Sequence, residues 1–268
     1  MKRTVSFIAA LDIAFVGLLV MSSMTSGIAS DILYYSAFIL PILFGIAVIR
    51  LKGAPNTPPS ATKGEVLGLS LPLAFPVIAL ISLIAFLTGL LLNFLGYENA
   101  VSFSEPFLPA ALLHALVPAL LEEMLFRFIP IKLLQKESAS PAFSIPFTAI
   151  AFSLAHTNLF QIPYAAFAGA ALALLFMLTG SIVPSVAVHF LNNLISLLTI
   201  YYDFDLWVYI SVAVLAVASV IIVVLRRNIY KTRLKELFSR KSDFVFPLSI
   251  AVYTVLCISM SILNLKVK

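Results

Sequence analysis

Runs of roughly twenty apolar residues recur along this chain from end to end, separated by short polar stretches. At about 1.5 Å per helical residue such a run is as long as the ~30 Å hydrocarbon core of a bilayer. The chain is 62% hydrophobic and 11% charged, against about 25% charged in ordinary soluble domains. No soluble fold of this size hides so much apolar surface. The runs do not alternate apolar with polar residues, which argues against a β-barrel. The expected fold is therefore all-α: a polytopic transmembrane helix bundle of eight to nine membrane helices, with residues 1–268 as one membrane-embedded domain.

The runs cover about residues 5–24, 32–49, 67–95, 106–134, 142–159, 163–178, 181–202, 206–225 and 245–263. Pro55, Pro58 and Pro59 bar helix from the loop after the second run. The third is long enough to tilt or to kink at Pro76. In the sixth, Ala165, Gly169 and Ala173 are spaced by four and allow close helix approach, and Gly180 ends it. Loop charges test the count. With the amino end inside, Lys2 and Arg3, then Arg50, Lys52 and Lys63, then Lys132 and Lys136, then a basic stretch from Arg226 to Lys241 all fall on the cytosolic side. Asp31, Glu98, Glu105, Asp203 and Asp205 fall outside, and only Lys266 and Lys268 run against the rule. Nine crossings follow, with the carboxyl end outside. The net charge of +5 is then a property of the basic loops and does not signal nucleic acid. The first run could be a signal peptide with Ile28-Ala29-Ser30 as a weak cleavage site, but it is long for the apolar core of one and more spans follow. The single cysteine, Cys257, cannot form an internal disulfide.

Against this apolar background, residues 105–200 hold all three histidines and the one adjacent carboxylate pair. Charged groups in a membrane helix are costly and by default mark function. Glu123 and Arg127 are i and i+4 on one helical face, where an ion pair keeps a carboxylate charged. Glu122 points about 100° away and is free to face a cavity. Pro118, one turn earlier, withholds a donor from the His114 carbonyl and kinks the helix before the acids. His189 and Asn193 are also i and i+4, able together to donate two hydrogen bonds to an oxyanion. His156 with Glu122 makes a pair for activating water. His114 is read as structural, because nothing in its spacing ties it to the others, and Asn192 beside Asn193 is ambiguous. Asp12, in the first run, is read as bonded locally or facing a neighbouring helix. Counted from the cytosolic ends of the runs, Glu122 lies about 15 Å deep, His189 about 12 Å and His156 about 24 Å, so the fifth helix must start late or tilt for the three to meet.

These residues resemble the CAAX protease and bacteriocin-processing family, also called the Abi family. Its ordered motifs read here Glu122-Glu123-Met-Leu-Phe-Arg127, Phe152-Ser-Leu-Ala-His156 and His189-Phe-Leu-Asn-Asn193. Ala151-Phe-Ser-Leu-Ala-His-Thr-Asn and Thr179-Gly-Ser-Ile-Val-Pro-Ser look like family phrasing too. The likeness covers about residues 110–198. Phe128 departs from it, since many members carry Gly there.

The resemblance implies an intramembrane endopeptidase similar to the type II prenyl proteases, which remove a C-terminal tripeptide from a prenylated cysteine. It implies that Glu122 and His156 activate the water, His189 and Asn193 hold the oxyanion, and Glu123 and Arg127 orient the site. The expected partners are a lipidated peptide or protein substrate and the bilayer, with no nucleic acid and no cofactor. The expected location is the cell membrane, with the active site open to the cytosol. Two other readings compete. One is a zinc hydrolase with Glu122, His156 and His189 as ligands, which lacks the His-Glu-x-x-His spacing. The other is a transport or immunity-type binding protein, for which no internal repeat is found.

Overall fold

The computed structural model describes residues 1–53, 62–98, 103–202, 205–239, 248–263 and 266–267. Pro55, Pro58, Pro59, Asp203, Arg240, Lys241 and Lys268 lie outside the described residues. Among the described residues ten helices follow one another: α1 (Lys2–Ser23), α2 (Ile28–Leu51), α3 (Lys63–Phe94), α4 (Phe107–Lys136), α5 (Pro141–Ala155), α6 (Ile162–Thr179), α7 (Val183–Tyr201), α8 (Asp205–Leu225), α9 (Arg227–Phe238) and α10 (Leu248–Leu263). Each of the nine apolar runs has become a helix, and α9 lies in the basic stretch that follows the eighth run. The protein is an integral membrane protein.

Among the described residues seven helices are long and apolar enough to cross a bilayer. The run expected as the fifth crossing is shorter than anticipated. Its helix α5 has 15 residues, about 22 Å, less than the ~30 Å hydrocarbon core. It ends at Ala155, and the chain turns through 156–161 before α6 begins. Because α5 and α6 pack closely side by side as a hairpin, the sidedness of every other loop is unchanged whether or not that turn reaches the surface.

Local chemistry sets the ends of several helices. Thr62 and Glu65 form a reciprocal capping box at the start of α3. Gly180, at φ 68°, closes α6 in the left-handed conformation that glycine adopts without strain. Gly169 lies so close to α5 that a β-carbon there would stand 2.8 Å from Ala149 Cα, which is the close approach its spacing anticipates.

Interhelical bonds separate the two ends of the bundle. At one end the Met1 amine and Lys52 both bond Glu137, Tyr230 bonds the Leu69 carbonyl and Arg233 bonds Glu65. At the other end the Tyr201 hydroxyl donates to the Glu105 carbonyl at 2.6 Å, and Tyr97–Glu98 pairs antiparallel with Lys266–Val267. The described basic loops thus share one face, and the carboxyl end lies beside the loop after α3. Leu83, Phe86, Leu87, Leu90 and Leu91 of α3 and Val214, Val217 and Ile221 of α8 are exposed. In an integral membrane protein that surface faces lipid.

Candidate active site

Helix α4 carries the acids, and its backbone is not uniform. Two π-helical stretches, Ala111–Leu116 and Met124–Phe128, interrupt it. Each is followed two residues later by a proline, Pro118 or Pro130. A proline cannot donate to the carbonyl four residues back and its ring crowds that carbonyl. A widened turn before it relieves both conflicts, and such turns often mark functional positions. The kink expected at Pro118 takes this form.

Glu123 and Arg127 are completely buried, with Arg127 Nη1 3.0 Å from Glu123 Oε1. The guanidinium also lies over the Phe152 ring, its carbon 3.7 Å from the centroid, an arrangement that favours a cation over an aromatic face. The same carboxylate oxygen is 2.9 Å from His189 Nδ1. A carboxylate only accepts, so Nδ1 carries the proton and donates. The other ring nitrogen, Nε2, then stands 3.6 Å from Glu122 Oε2. That is too long for a direct hydrogen bond and short enough for one water to reach both.

His156 follows the last residue of α5. Its Nδ1 is 2.9 Å from the Phe152 carbonyl, so this ring too donates from Nδ1 and keeps Nε2 for other partners. The bond answers a structural need, because a helix that stops at membrane depth leaves carbonyls unpaired. The neighbouring Ala151 carbonyl accepts from the Tyr253 hydroxyl of α10 at 2.6 Å. Phe152 is the hub. Its ring meets the His156 ring edge-on at 4.6 Å and the His189 ring at 5.7 Å. The two imidazoles therefore meet at one ring, although His189 is early in α7 and His156 follows the end of α5.

A cavity of about 580 Å³ opens beside these groups, walled by residues of α3, α4, α5, α6, α7 and α8. Glu122, His156, His189 and Asn193 all line it, whereas Glu123 and Arg127 stand behind the wall. His114, read from sequence as structural, lines it as well. So do Gln161, Tyr164 and Asn192, which no motif singled out. Gln161 and Tyr164 lie where the broken α5–α6 turn meets α6, a position that helical periodicity does not reveal. Among the described residues no three His, Cys, Asp or Glu side chains are grouped to hold a metal ion.

Residues 104–195 match the family model described as Type II CAAX prenyl endopeptidase Rce1-like. That central stretch is similar to the Rce1-like family. The Rce1-like stretch contains every cavity-lining acid and histidine named above, together with Glu123, Arg127, Phe152 and Asn193. The chain matches no curated protein and no solved structure.

Proposed function

We propose that the chain is a membrane-embedded endopeptidase of the CAAX prenyl protease type, hydrolysing a peptide bond near the C-terminus of a prenylated substrate with a glutamate-activated water. The observation that carries this reading is the shared cavity in which Glu122, His156, His189 and Asn193 meet at membrane depth within an Rce1-like domain. Glu122 takes a proton from water, and His156 offers Nε2 to the same water. The hydroxide adds to the scissile carbonyl. Asn193 and His189 donate to the resulting oxyanion, and Glu122 returns its proton to the leaving amine. Donation from His189 Nε2 requires the ring to carry both protons, and a carboxylate stands at each of its nitrogens. Glu123 and Arg127 orient His189 from behind. The basic face is assigned to the cytosol by the positive-inside rule, which puts the amino end there, whereas the cavity lining extends through Phe103, Ile200 and Tyr209 toward the opposite end of the bundle.

The test is cleavage of a fluorogenic farnesylated CAAX peptide by the purified protein in proteoliposomes. Release of a C-terminal fragment that is insensitive to chelators is expected, with the unprenylated peptide cut more slowly. His189→Ala and Asn193→Ala should each lower kcat on the order of 10²-fold, the cost of one oxyanion donor. Activity lost to a chelator and restored by zinc would replace the glutamate mechanism with a metal one. Unchanged turnover in both variants would remove the oxyanion role.

A further inference from the structure

His114 belongs to no motif, yet it shares the wall of the cavity with Glu122. His114, Pro118 and Glu122 follow at intervals of four and face the same space. No lysine or arginine is among the described residues lining the cavity. His156 and His189 are engaged beside the acid. His114 is therefore the lining imidazole that stands away from Glu122. It lies toward the end of the bundle opposite the basic face, near Glu105, whose carbonyl holds the Tyr201 hydroxyl.

The surroundings of its ring are those of a receptor for an anion. Phe103 lies against one face, with centroids 4.5 Å apart. Nε2 is buried, makes no hydrogen bond and stands 3.8 Å from Glu105 Oε1. Nδ1 is hydrogen-bonded to nothing among the described residues. A carboxylate behind one nitrogen supports a ring that donates from the other. Eight residues of helix separate His114 from Glu122, a rise of about 12 Å. An extended peptide covers that distance with three to four residues at about 3.3–3.6 Å each.

We infer that His114 receives the free C-terminal carboxylate of the substrate, so that the cavity measures the short fragment to be released between this histidine and the water at Glu122. The inference rests on the peptidase reading above. It assigns to the far end of the cavity a subsite for a peptide terminal carboxylate, with Phe103 and Glu105 holding the ring in place.

The experiment compares two prenylated peptides that differ only in ending as a free acid or as a carboxamide. The wild type should cleave the acid with a kcat/KM about tenfold or more above the amide, the size of one hydrogen bond to a charged group. In His114→Phe the preference should fall to near one, through a raised KM for the acid. A second measurement needs no variant: short peptide acids should inhibit the wild type more tightly than their amides. Equal cleavage of acid and amide by the wild type, equal inhibition by the two, or a preference kept in His114→Phe overturns the carboxylate subsite and leaves the peptidase reading standing. Cleavage of neither peptide overturns both.

Discussion

Arg127 and Glu123 have no exposure to solvent at all. Removing either partner leaves an uncompensated charge inside the bundle, which typically costs about 3–5 kcal/mol. Arg127→Met should therefore lower the melting temperature in detergent strongly, and Glu123→Gln should as well. The double variant should melt no lower than the worse of the two, because neither charge is then stranded. A double variant that melts lower than both would show that the two residues act independently. Arg127→Lys should not restore the wild type, since an ammonium does not reproduce the flat contact with Phe152. At this scale the sequence was informative. The i, i+4 spacings and the rarity of charge in apolar helices picked out Glu122, Glu123, Arg127, His189 and Asn193. What spacing did not reveal is that one carboxylate oxygen of Glu123 serves both Arg127 and His189. Nor did it reveal that Phe152 links the guanidinium to both imidazoles. These contacts join separate helices, and only their packing determines them.

At the scale of elements, all nine apolar runs were legible as helices, because twenty apolar residues at membrane depth have few alternatives. Two features were not. The π-helical stretches of α4 carry no composition of their own, although Pro118 and Pro130 mark where each ends. The early stop of α5 is hidden because Thr157 and Asn158, where the turn begins, interrupt the apolar run only weakly. The packing of α5 on α6 has its own test. A β-carbon on Gly169 would meet backbone, 2.8 Å from Ala149 Cα, whereas one on Gly45 would meet the side chain of Ile129 at 2.6 Å. A side chain can rotate and a helix backbone cannot without moving the helix. Gly169→Ala should therefore destabilise by about 1–3 kcal/mol, as overpacking does, and Gly45→Ala by less. Thermal melting of the two variants side by side checks the order, and the reverse order would contradict the packing described.

For the molecule as a whole, the junction at the basic face ties α1, α2 and the end of α4 together. Glu137, just beyond α4, accepts from the Met1 amine at 2.8 Å, from Thr4 at 2.7 Å and from Lys52 at 3.1 Å. The hydrogen bond from the amine, followed by those from Thr4 and Lys52, holds its carboxyl well below the usual range, at about 2. A group whose folded value is depressed stabilises the fold above its unfolded value of 4.5 and loses that contribution as pH falls toward the folded one. The wild type should therefore melt above Glu137→Gln at neutral pH. The gap should close as pH is lowered from about 4.5 toward 2. A gap that stays constant over that range would mean that the junction does not stabilise the bundle through this charge.

The central claim is that the carboxylate of Glu122 activates water inside the membrane cavity. Its most direct test is single-turnover cleavage of the farnesylated peptide by Glu122→Gln, which keeps the shape of the side chain and removes its basicity. The expected result is no product above background from a protein that melts like the wild type and still binds the peptide. Cleavage at the wild-type rate by that variant would contradict the account.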